Sequence, residues 1–259
     1  MSKRMTISKS ITRHSTTFNL ELIQGWRKCS RRRPYLFPGD REAFKDIQVP
    51  KGEKALDFNV LPTPYVGNLK KADIYILMCN PGLKPHDYSP RGKLRKARLN
   101  TLWQTINRCD FAFRSLDPTH EGSDYWAKKF RKLIRAIAAK HKVDHRQATW
   151  NLSNRLACLN LLPYHSRLGP DLGRFLNLPS VQAMLNFVGS AKLLERARTG
   201  QALIIVVRSK KYWEKAPDLT VKNKHLVIYD PKRQARGASF GLKSPGGKAI
   251  ARYLQKSPH

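Results

Sequence analysis

Acidic residues are scarce in this chain: 18 Asp and Glu stand against 50 Lys and Arg, a formal net charge of +32. A surface of one sign repels itself in the compact state, so a polyanionic partner is expected to offset it. Nucleic acid is the expected partner, ahead of an anionic membrane surface. Long apolar runs are missing too. None reaches the ~20 residues of a spanning helix and no signal peptide precedes residue 30, which predicts a cytoplasmic protein with no membrane contact. Cysteine is sparse: Cys29, Cys79, Cys109 and Cys158 lie far apart with no CxxC pair. Zinc and iron–sulfur sites call for short ligand spacings, so reduced and mostly buried thiols are expected. Nothing matches the phosphate-cradling GxxxxGK[ST] or a strand-linked GxGxxG, and no His/Asp/Glu cluster has metal-ligand spacing. No metal and no cofactor is expected.

What is present is a globular core, with 41% hydrophobic residues in 259. Residues 1 to about 20 are rich in Ser, Thr, Lys and Arg and lack periodicity; the stretch to Pro64 carries several prolines and the cluster Arg31-Arg32-Arg33. Residues 1–59 therefore read as a basic arm and irregular wrap, and 60–259 as one α/β domain. Four continuous apolar runs have strand character: Ala72–Asn80, Leu156–Tyr164, Ala202–Arg208 and His225–Asp230. Continuous runs mark strands covered on both faces. Helical spacing appears between them at Leu99, Leu102, Trp103 and Ile106, and at Phe130, Leu133, Ile134, Ile137 and Ala138. A further helix is expected with Ser180 as its cap and Val181, Met184, Leu185 and Val188 on its buried face, closed by Gly200. Pro245 suits the first turn of a last helix. The alternation predicts a central four-stranded, mainly parallel sheet with helices on both faces.

Such a sheet gathers its chemistry outside the C-terminal ends of the strands. Those ends read Asn80-Pro81-Gly82, Asn160 to His165, Arg208 to Trp213, and Asp230 to Gln234. Two asparagines, several aromatics and many cations converge on one edge. Lys84, Arg208, Lys210, Lys232, Arg233 and Gln234 are expected to contact DNA there.

The segment "PYVGNLKKADIYILMCNPGL" resembles motif A of the uracil-DNA glycosylase superfamily, closest to the thymine/mismatch-specific and single-strand-selective branches. "CLNLLPY" resembles the second strand of that family, and "YDPKRQARGASFG" is similar to the motif B loop of thymine-DNA glycosylases. The resemblance spans roughly residues 60 to 255. It implies a monomeric, monofunctional DNA glycosylase that flips out a uracil or a 5-modified pyrimidine and hydrolyses its N-glycosidic bond, leaving an abasic site. On this likeness Asn80 holds the attacking water, Asn160 meets the Watson–Crick edge of the base, and Arg236 enters the duplex where the base had been. Pro81, Gly82 and His165 belong to the base pocket. A tyrosine stands at the place of Gly82 in the strictly uracil-specific branch and blocks groups on pyrimidine C5; glycine leaves that space open. Some members of the superfamily act on hypermodified cytosines in bacteriophage DNA, so the likeness admits antiviral defence beside repair. One departure stands out. Many relatives carry His-Pro-Ser at motif B, the histidine stabilising the leaving anion, where this chain reads Asp230-Pro231-Lys232. An ionised Asp230 would repel that anion unless it points away; His165, Arg233 or Gln234 are the candidate replacement donors. The competing reading is a non-catalytic nucleic-acid-binding module on a glycosylase-like fold, since fold does not fix function. A nucleotide-processing enzyme is a third.

Overall fold

A computed structural model describes residues 20–29, 32–88, 92–106, 111–120, 123–189, 193–230 and 239–256. Strands β1 (Tyr65–Gly67), β2 (Ile74–Met78), β3 (Leu156–Asn160), β4 (Leu203–Val206) and β5 (Leu226–Ile228) form one mixed sheet in the order β1-β3-β2-β4-β5. The four apolar runs of the sequence are β2 to β5, and all their pairings are parallel. The sheet nevertheless has five strands rather than four. β1 adds to the edge, antiparallel to β3, with Tyr65 opposite Leu159 and Gly67 opposite Ala157. Three residues are too few to show an alternating pattern, so this strand exists because β3 offers a free edge. Gly67 is required there: its φ is +103 and a Cβ would collide with the carbonyl of Leu156.

β2 lies at the centre and all five of its residues are buried. Side chains alternate across a strand, so its two faces enter two apolar layers. Tyr75 and Leu77 join Ala157, Leu159, Ile204 and Val206 in one layer. Helices α1 (Leu20–Arg27), α2 (Asp40–Ala43), α6 (Pro179–Gly189), α7 (Leu193–Arg198) and α8 (Lys210–Trp213) lie on that side, with Trp26, Met184 and Trp213 in the packing. Ile74, Ile76 and Met78 enter the other layer with Phe130, Leu133, Ile134, Leu152 and Ile250. These come from α4 (Asp124–His141), α5 (His145–Arg155) and α9 (Pro245–Lys256), which opens on Pro245 as its sequence suggests.

Three local expectations are corrected. Helix α3 (Gly92–Leu102) stops before Trp103 and Ile106. Gln104 (φ 55) turns the chain there, its side chain bonding Leu69 N–H and the carbonyls of Gly67 and Thr101. Ser180 lies inside α6 instead of capping it; its N–H donates to the Asp40 carboxylate at 2.9 Å, so the cap comes from 140 residues away. The stretch before Pro64 carries helices as well as irregular chain: Leu22, Ile23 and Trp26 of α1 are buried in the main core. Among the described residues no helix is long and apolar enough to cross a membrane. Cys29, Cys79 and Cys158 are free thiols, and burial pushes that of Cys29 up to about 12; Cys109 lies outside the described residues.

Candidate active site

Parallel pairing aligns the C-terminal ends of the strands, and the register sets Met78 of β2 beside Asn160 of β3. Asn80 lies two residues beyond Met78, so it projects from the same face as Asn160. The loops that follow stay zipped together. Leu161 N–H donates to Met78 O (3.2 Å), Leu162 N–H to Cys79 O (2.9 Å) and Ser166 N–H to Pro81 O (3.4 Å). Buried Trp213 donates its indole N–H to Met78 O at 3.0 Å from the far layer. The two asparagines are thus mounted on a rigid frame.

The side-chain amide of Asn80 has one possible orientation. Its Nδ2 donates to Ser166 Oγ (2.8 Å), Pro81 O (3.0 Å) and Tyr164 O (3.4 Å). The carbonyls can only accept, and the Ser166 hydroxyl spends its proton on Leu168 O at 2.6 Å. Nitrogen must therefore face this group. Oδ1 accepts no hydrogen bond among the described residues, which leaves its lone pairs for a water. Asn160 is set in the same way: Nδ2 donates to Thr63 O at 2.7 Å, and Oδ1 is left as an acceptor. Thr63 arrives through the unforeseen β1 edge, where Thr63 N–H donates to Pro163 O and Asn160 N–H to Pro64 O.

His165 is 4% exposed, and both ring nitrogens are committed. Nδ1 donates to Gly82 O at 2.8 Å, so Nε2 accepts from the Thr63 hydroxyl at 3.0 Å. Burial lowers its pKa more than nearby Asp87 and the Gly82 carbonyl raise it, and the ring stays neutral. His165 pins the Gly82 turn. Gly82 itself is exposed, its φ is outside the left-handed region, and a Cβ would meet nothing within 4 Å.

These residues line a cavity of about 700 Å³. Of the residues singled out in the sequence, Asn80, Pro81, Gly82, Lys84, Asn160, His165 and Arg208 border it. Its opposite wall was not foreseen. Arg98 and Thr101 come from α3, Arg114 and Ser115 from a short 3-10 turn, and Asp124, Tyr125, Trp126 and Lys128 from α4. The lining carries five Lys and Arg (Lys84, Arg98, Arg114, Lys128, Arg208) against two carboxylates, Asp87 and Asp124. Asp87 is already neutralised by Arg98 at 2.6 Å and also accepts from Lys84 N–H at 2.7 Å. The cavity is therefore net cationic and favours negative charge developing inside it. Cys158 lies in its wall, but burial raises its thiol pKa and keeps it protonated.

Two expectations fall away from this cavity. Lys210 does not border it and pairs with Glu214 at 3.5 Å. Asp230 is exposed and is not among the lining residues. Lys232, Arg233, Gln234 and Arg236 lie outside the described residues. Ser166 stood in plain view after Tyr164-His165, yet only its bond to Asn80, 86 residues away, gives it meaning. Comparison with known protein families, curated proteins and solved structures finds no match to this chain.

Proposed function

We propose that the chain is a DNA glycosylase of the uracil-DNA glycosylase type, acting on a uracil or 5-modified pyrimidine flipped into the cavity. One observation carries the reading: two asparagines at adjacent strand ends face one cationic cavity, each with its amide nitrogen tied to the protein and its oxygen left over. Asn80 Oδ1 accepts from a water and aims it at C1′ of the extruded nucleotide. The C1′–N1 bond breaks first and the base leaves with the electron pair; water oxygen then bonds to C1′, and its proton ends on the free base. The developing sugar cation and base anion need fixed charge more than covalent help. Arg208 and Lys128 supply it for the base, a task His165 is too committed to perform. Asn160 Oδ1 accepts from an N–H of the base, which suits N3–H of uracil and the 4-amino group of cytosine alike.

Asp230 favoured the non-catalytic alternative, because a carboxylate beside a leaving anion is repulsive. Asp230 is exposed and outside the cavity lining, which supports the catalytic reading. The test is direct. Wild-type protein is incubated with DNA carrying uracil or 5-modified pyrimidines and treated with alkali, which breaks the strand at abasic sites. Asn80→Ala should lower single-turnover excision ~10²-fold or more and leave DNA affinity within about twofold, since the group anchors water and no phosphate. Excision at the wild-type rate by this variant refutes the assignment.

A further inference from the structure

Five large apolar or aromatic side chains are exposed among the described residues: Tyr88, Tyr125, Leu168, Val221 and Leu242. Of these, Tyr125 alone borders the cavity. It is the second residue of α4 and stays 43% exposed. One turn later, Lys129 Nζ sits 5.3 Å from the centroid of the Tyr125 ring. Trp126 meets the same ring edge-on at 5.3 Å and 86°, and is itself packed on Phe113 and Phe130. The tyrosine is therefore braced from behind, not loose.

Arg208, two residues beyond β4, lines the same cavity as Tyr125. The Lys129 ammonium is made easier to deprotonate first by burial and then by the Arg208 charge. Neither cation has a carboxylate partner among the described residues; Asp124, five residues before Lys129, borders the cavity without an ion pair to either. A cation without a carboxylate partner, set beside an exposed ring at a cavity that Arg208 also lines, is a seat for an anion. A braced, exposed aromatic beside an anion seat matches the chemistry of an unpaired nucleotide: the base offers a π face and the phosphate a negative charge.

Resting on the DNA reading above, we propose that Tyr125 and Lys129 hold an unpaired base and its phosphate next to the nucleotide in the cavity. The preferred partner is then DNA with a locally single-stranded segment, rather than intact duplex. A paired neighbour would keep its faces stacked within the helix and could not meet the ring.

The experiment uses unmodified DNA, so no excision is needed. Affinity is measured by fluorescence anisotropy for one sequence as a single strand and as a duplex. Tyr125→Ala should lose about tenfold on the single strand, the size of one base–aromatic stack, and much less on the duplex. Tyr125→Phe should keep wild-type affinity for both. Equal loss on the two forms, or no loss on the single strand, overturns the proposal. Wild-type protein gives a second readout independent of any variant: 2-aminopurine in the single strand should be quenched on binding, and unchanged emission overturns the stack. A protein that quenches this base yet excises nothing would fail as a glycosylase while keeping the stacking seat.

Discussion

At the scale of single residues, the site depends on which end of an amide is left over. Ser166, Pro81 and Tyr164 hold the nitrogen of Asn80, and Thr63 holds that of Asn160. On the proposed function, Gly82 acts by what it lacks. Its backbone does not demand glycine and a Cβ would point into open space, so any cost of a larger side chain falls on ligands and not on the fold. Gly82→Tyr should therefore abolish excision of 5-modified pyrimidines, spare uracil to a much greater degree, and leave the melting temperature within a degree or two. Parallel excision assays with a melting curve read all three. Equal loss on both substrates with a lowered melting temperature would show that the glycine serves the backbone. Asn80 and Gly82 were legible in the sequence because a buried run ends abruptly on them. Thr63 and Ser166 were not, because their roles depend on partners 97 and 86 residues away.

At the scale of elements, the turn after β3 is held from the opposite layer. Tyr164 donates its hydroxyl to Asp40 at 2.5 Å and accepts from Phe37 N–H, while its carbonyl receives Asn80. Asp40 is fully buried, and burial raises its pKa against the opposing hydrogen bonds from Ser180 and Tyr164. A raised folded-state pKa means the native protein binds this proton more tightly than the unfolded chain does. The resulting stabilisation is complete below the ordinary value of 3.8 and is lost as pH rises through the folded value. Wild type should accordingly gain stability relative to Asp40→Asn as pH falls from neutral towards about 4. Calorimetric melting of both proteins across that range checks the sign; a difference that shrinks on acidification would mean that the hydrogen bonds outweigh the burial. β1 makes the same point without titration. A three-residue edge strand, invisible as a pattern, delivers the Thr63 carbonyl to Asn160 and its hydroxyl to His165.

At the scale of the whole molecule, charge dominates. A formal +32 concentrates cations well beyond the cavity. Each phosphate neutralised releases counter-ions, with a slope near −0.9 per contact in a log–log plot, so ~6–10 contacts cost ~10³–10⁵ in affinity between 50 and 200 mM salt. Titrating one DNA at several salt concentrations should give a steep line. A flat response would remove nucleic acid as the partner. Binding to the native state alone should also raise the melting temperature as DNA is added.

The amino-acid sequence by itself determined the parallel strands, because a strand covered on both faces must be apolar throughout, as IYILM, LACLN and LIIV are. It also determined the polar residues at the strand ends and the sign of the surface. Strand order, the Met78–Asn160 register, the α3 and α4 wall of the cavity and the orientation of each amide were decided only by the tertiary structure. Local periodicity records which face of a segment is buried and says nothing of what covers it. The partners of Asn80, Asn160 and Tyr164 lie as far as 86, 97 and 124 residues away, and only packing brings such segments into register.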